Sequence, residues 1–95
     1  MNNMDSSKII AVCEMYQNRF NTEGIPKKRM DTKKFFESKD EMLAHANYLL
    51  DGIREFAVRT DKIGKTGRHL GSVQTLLLVA EWYTLEDLMN HNRPD

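Results

Sequence analysis

The sequence predicts an all-α fold: a long antiparallel helical hairpin with a short N-terminal helix and a short C-terminal helix, assembled as an oligomer. Three observations carry that prediction. Apolar residues recur at steps of three and four through most of the chain, which is the period of one helical face. Only two prolines and five glycines interrupt the 95 residues, too few for a turn-rich all-β domain. Helix-start signatures stand at Asp5-Ser6-Ser7, at Ser38 with Glu41, and at Thr84 with Asp87.

The first helix follows Asp5 to Ser7 and carries Ile9, Val12, Cys13, Tyr16 and Phe20 on one face. It should run for about three turns and stop before Asn21, because Gly24 and Pro26 break helices. A connector occupies residues 25–37. The second helix starts at the Ser38 cap and reaches about residue 62, with Met42, Ala46, Leu49, Ile53, Phe56 and Thr60 as its stripe and Leu43, Leu50 and Ala57 widening it. Residues 62–68, with two glycines and Lys62, Lys65 and Arg68, read as the hairpin turn. The third helix is then expected over residues 69–83, with Leu70, Val73, Leu77 and Ala80 on one face and Leu76, Leu78 and Val79 on the others. So much apolar surface on one helix of a small chain predicts an oligomer interface. A last short helix spans residues 85–90. The whole reads as one domain, residues 1–95.

Composition narrows the function classes. Fourteen Lys and Arg balance fourteen Asp and Glu, so the chain is no polycation for duplex DNA or RNA, and any anion site must be local. Hydrophobic residues at 40 % and charged residues at 29 % place it with chains that fold, not with disordered ones. Lone Cys13 on an apolar stripe suits a buried thiol and a reducing compartment. No apolar run approaches ~18–20 residues, and residues 1–7 are polar, so neither a membrane span nor a signal peptide is expected.

Catalytic and metal motifs are not found. Gly64-Lys65-Thr66 matches the end of a phosphate-binding loop, but Arg59 stands where the opening glycine belongs, and no strand precedes it. His45, His69 and His91 form no pair at ligand spacing. The carboxylate pairs Asp40-Glu41 and Glu86-Asp87 sit where helix caps and dipoles place them. The chain is therefore read as a non-enzyme without cofactor or metal.

Charge segregation is the informative feature. Lys27, Lys28, Arg29, Lys33 and Lys34 face one acid, Asp31, and Arg59, Lys62, Lys65 and Arg68 face one acid, Asp61. The second group falls at the hairpin turn and the first in the loop leading into the hairpin, so they are expected to converge only between subunits, where they would make an anion site fit for a small phosphorylated ligand. Tyr16 reads two ways, as core packing or as a ring at the pocket edge that stacks on a base. Trp82 and Tyr83 read as packing or interface anchors.

The segment Lys65-Thr66-Gly67-Arg68-His69-Leu70-Gly71-Ser72-Val73-Gln74, with Trp82-Tyr83-Thr84-Leu85-Glu86-Asp87-Leu88 and His91-Asn92-Arg93-Pro94, resembles the C-terminal part of small accessory proteins of T-even-like tailed phages. The layout of a Tyr-bearing first helix, a lysine loop and a helical hairpin is similar to phage anti-CBASS sponge proteins. That resemblance implies a small all-helical oligomer in the host cytoplasm that sequesters cyclic di- and trinucleotide signals without cleaving them. It implies Tyr16 as the base-stacking residue and one of Lys27, Lys28, Lys33 and Lys34 as the phosphate holder. Thr32 would donate a hydroxyl in the same loop, and Arg68 would serve a second, larger cyclic-nucleotide site. The rival expectation is a small helical phage inhibitor that docks on a host protein. A small nucleic-acid binder ranks third, because the net charge is zero and no recognition-helix motif is present.

Overall fold

The computed structural model describes residues 5–59, 61 and 63–94. Its elements are four helices, α1 (Ser6–Thr22), α2 (Lys39–Ala57), α3 (Ile63–Val79) and α4 (Leu85–Asn92), and no strand occurs among the described residues. The predicted stripe position Thr60, the predicted turn residue Lys62, and the terminal residues 1–4 and 95 lie outside the described residues.

The starts of α1, α2 and α4 are capped as the sequence dictates. The Asp5 carboxylate accepts the Lys8 N–H at 2.8 Å and Ser38 Oγ accepts the Glu41 N–H at 3.2 Å. Thr84 and Asp87 form a reciprocal capping box, Asp87 N–H to Thr84 Oγ1 at 3.1 Å and Thr84 N–H to Asp87 Oδ2 at 2.9 Å. The ends of α1 and α3 share a second device. After α1 the Ile25 N–H reaches the Phe20 carbonyl at 2.9 Å and Gly24 takes φ +70°. After α3 the Trp82 N–H reaches the Leu77 carbonyl at 2.9 Å and Glu81 takes φ +65°. Both are Schellman ends, and Glu81 fills a left-handed position that favours glycine.

Several boundaries differ from the sequence reading. The second helix ends at Ala57 and not near residue 62, and the third ends at Val79, short of residue 83, because the Trp82 N–H turns back to the Leu77 carbonyl. The first helix has 17 residues, as many as α3, so it is not the short element predicted. The third helix begins at Ile63, and the supposed turn residues Gly64, Lys65, Gly67 and Arg68 are helical. The physical reason is Thr66, which is buried and continues the core face of Leu70, Val73 and Leu77 by one turn. Burial of that face outweighs the ~1 kcal/mol that each helical glycine costs relative to alanine.

Cys13, Tyr16, Phe20, Ala46, Leu50, Ile53, Val73 and Leu77 have no solvent exposure and make the core. Ser6 at the head of α1 donates to the Ala57 carbonyl at the foot of α2, while Gln17 Nε2 donates to Asn47 Oδ1 at 3.2 Å, so α1 lies along α2 in the opposite direction. Phe56, near the end of α2, meets His69, near the start of α3, with ring centroids 5.7 Å apart. α4 packs on α1. Leu76 and Leu78, expected as surplus apolar surface, are partly buried against the core, whereas Val79, Leu85 and Met89 remain exposed. No described helix is long and apolar enough to cross a membrane.

Candidate functional site

Among the described residues a groove of about 820 Å³ lies between α2 and α3, with Phe36 of the connector in its wall. That volume falls within the ~300–1,000 Å³ of small-molecule sites. His45 and Leu49 line it from α2, Arg68, His69, Ser72, Thr75 and Leu76 from α3, and Phe36 from the connector. The spacing explains the wall: positions 45 and 49 are one turn apart, and 68, 72, 75 and 76 share one face of α3.

Rings gather in two groups. Phe36 and His45 lie 5.7 Å apart and His45 and Tyr48 5.8 Å apart. Along the helix pair Phe56 packs edge-on to His69, and the Lys65 ammonium sits 4.5 Å from the Phe56 centroid. Arg68 also lines the groove, and its guanidinium has no hydrogen-bond or ion-pair partner among the described residues. Burial, and then the Arg29 charge, hold His45 below the usual imidazole range. Burial, then Lys65 and Arg68, do the same to His69. The two imidazoles are therefore neutral at pH 7 and the groove's fixed charge is cationic.

His45 ties the groove to the connector. The Met30 N–H donates to His45 Nδ1 at 3.1 Å, which leaves the neutral ring's proton on Nε2. Arg29, from the first basic group, thus acts on a ring that shares a groove with Arg68, from the second. Arg29 itself lines a separate depression with Met30, Asp31 and Thr32, and of the two basic groups only Arg68 lines this groove.

The remaining predicted site residues are dispersed. Tyr16 is wholly buried. Gln74 Nε2 donates to its hydroxyl at 3.0 Å, and the hydroxyl lies 2.9 Å from His91 Nδ1. Burial pushes that phenol up to about 12. Within one chain it offers no face to a base, because the helical stripe that carries it is the core stripe. Lys27 Nζ is held by Gln17 Oε1 at 2.7 Å and Asp51 Oδ1 at 3.0 Å. Lys28 borders a depression of about 420 Å³ that Glu23, Asp40 and Glu41 also line, a poor setting for phosphate. Thr32, Lys33 and Lys34 lie on an exposed tip turned by Asp31, whose carboxylate accepts the Lys33 N–H at 2.9 Å. Only Arg68 lines the groove.

Sequence reasoning weighed His45 and His69 as metal ligands alone and assigned no role to Phe36. The helical register of His45 with Leu49, and of Arg68 with Ser72 and Thr75, was the available signal. Among the described residues no group of His, Cys, Asp and Glu is placed to hold a metal ion. Burial pushes the Cys13 thiol up to about 11, which keeps it a thiol at neutral pH.

No protein-family model matches the chain, no curated protein matches its sequence, and no solved structure matches its fold.

Proposed function

We propose that the protein binds and sequesters small cyclic oligonucleotides in the α2/α3 groove without cleaving them. One observation carries this reading: the unpartnered Arg68 guanidinium shares a groove with Phe36 and two imidazoles. A guanidinium holds phosphate through charge-assisted hydrogen bonds, and rings stack on bases at ~1–3 kcal/mol each. Ser72 and Thr75 add hydroxyls to the wall, although each also donates to a carbonyl of its own helix. The arrangement suits a compact ligand that carries both bases and phosphates.

The resemblance to phage anti-CBASS sponges supplies the setting, a host cytoplasm in which the ligand is an immune signal. Sequestration works by mass action, lowering free signal when sites rival signal molecules in number. An oligomer serves that purpose, and the exposed Val79, Leu85 and Met89 offer an apolar surface for joining copies at the end of α3. Calorimetric titration with cyclic di- and trinucleotides tests the reading. Arg68→Ala should weaken binding by ~1.5–3 kcal/mol, roughly ten- to a hundredfold, with an unchanged circular-dichroism spectrum. Equal affinity in wild type and variant contradicts it.

The rival reading, direct docking on a host protein, draws on Phe35, which is 97 % exposed between Lys34 and Phe36. A stoichiometric host protein captured from lysate, indifferent to added cyclic nucleotides and lost on Phe35→Ala, would favour it.

A further inference from the structure

The connector does not lie loosely beside the groove. Residues 25–30 are fastened to α2 at four points. Asn47 Nδ2 donates to the Ile25 carbonyl at 3.0 Å, Lys27 pairs with Asp51 at 3.0 Å, the Lys28 N–H reaches the Ala44 carbonyl at 3.1 Å, and the Met30 N–H reaches His45 Nδ1 at 3.1 Å. The chain is next fastened at Glu37, whose N–H donates to Glu41 Oε1 at 2.7 Å. His45 is thus the last anchor before the exposed tip, and it is the only one of these anchors that also lines the groove.

We infer that His45 is a positioning residue for the ligand site: as a neutral acceptor at Nδ1 it holds the connector so that Phe36 stands at the groove. The inference rests on the groove being the ligand site. A protonated imidazole has donors on both nitrogens and cannot accept from the Met30 N–H. Acid should therefore release the connector and weaken binding. The groups around the ring are Arg29 and Phe36 on the connector, Glu41 and Tyr48 one turn away on α2, and Arg68 and His69 across the groove on α3. Arg29 and burial keep the ring neutral near pH 7, so the anchor is in place there and is lost only below the ordinary imidazole range. Asparagine separates the two roles of the ring, because its Oδ1 stands where Nδ1 does and accepts at any pH.

The test pairs hydrogen exchange at the Met30 amide with titration of cyclic tri-AMP and cyclic di-AMP at pH 7.5 and pH 5, using the full chain. Wild type at pH 7.5, and His45→Asn at both pH values, should protect Met30 and bind whichever probe the groove takes. His45→Ala at pH 7.5 should lose the protection and at least tenfold in affinity. Wild type should lose at least tenfold more affinity between pH 7.5 and pH 5 than His45→Asn does. Binding by His45→Ala equal to wild type, or equal pH profiles for wild type and His45→Asn, overturns the inference while leaving the groove as the ligand site. No binding of either probe by wild type at pH 7.5 overturns the functional reading and the coupling with it.

Discussion

The Tyr16 hydroxyl lies 2.9 Å from His91 Nδ1, across 75 positions of sequence. Gln74 Nε2 donates to the same hydroxyl, which therefore bridges the amide and the imidazole. Gln74 and Asn92 then exchange two amide hydrogen bonds, at 2.7 and 3.0 Å. This chain of side chains fixes α4 to α1 and α3, and Tyr83 closes it with its ring edge-on to His91 at 4.7 Å.

Tyr16→Phe removes the central hydroxyl and with it the hydrogen bonds to His91 Nδ1 and Gln74 Nε2. It should lower stability by about 1–2 kcal/mol, or roughly 4–15 °C in melting temperature for a chain of this size. Affinity for a groove ligand should change less than twofold. Thermal unfolding and calorimetry on the same variant check both halves, and a binding loss without a stability loss would restore the stacking role.

Stability should fall with acid. Burial, the leading cause, lowers His91 from its ordinary 6.5, while Asp87 opposes it and Lys8 adds to it. His45 and His69 are lowered as well. A base depressed by folding binds fewer protons in the folded than in the unfolded chain, so its contribution is full above pH 6.5 and is lost as pH drops through the folded value. Denaturant melts between pH 8 and pH 5 should show this decline. His91→Asn, which keeps an acceptor without a titrating group, should flatten part of it.

The two Schellman ends predict opposite outcomes for glycine. Gly24 at φ +70° has open space around an added Cβ, so Gly24→Ala carries backbone strain alone and should cost about 1 kcal/mol. Glu81→Gly relieves that strain and should gain roughly 0.5–1 kcal/mol, since the Lys39 to Glu81 ion pair it deletes is exposed and contributes little. Chemical denaturation of the pair checks the signs.

Asn47 should be the costliest polar side chain to truncate on α2. It is buried, donates to the Ile25 carbonyl and accepts from Gln17. Asn47→Ala removes the donor of the Ile25 carbonyl, leaves Gln17 Nε2 with Asn21 Oδ1 alone, and should destabilise by about 1–3 kcal/mol. Asp51→Ala, whose partners Lys27 and Arg54 are solvated, should cost under ~1 kcal/mol. Equal losses would show that the connector is held by its ion pairs.

Helix type, three N-caps and the core stripe of α1 were legible in the sequence, because capping and amphipathic spacing are local properties. On α2 the core runs through Leu43, Ala46, Leu50, Ile53 and Ala57, while Met42, Leu49 and Phe56 of the expected stripe are only partly buried. The start of α3 was not legible, since Gly64 and Gly67 signal a turn unless Thr66 is known to be buried by a neighbouring helix. The site was half legible. Arg68 stood out as a cation near glycines, but the role of His45 depends on a backbone donor 15 residues away, and backbone donors leave no mark in a residue pattern. Tyr16 sat on the core stripe from the outset, and only its distant partners Gln74 and His91 decided between packing and presentation.

The most direct measurement is thermal unfolding of the full chain with cyclic di- and trinucleotides, followed by release of the ligand with heat and its chromatography. The account predicts a higher melting temperature with at least one cyclic nucleotide, intact ligand recovered, and loss of the shift in Arg68→Ala. A shift with degraded ligand, or no shift with any member of the panel, would contradict it.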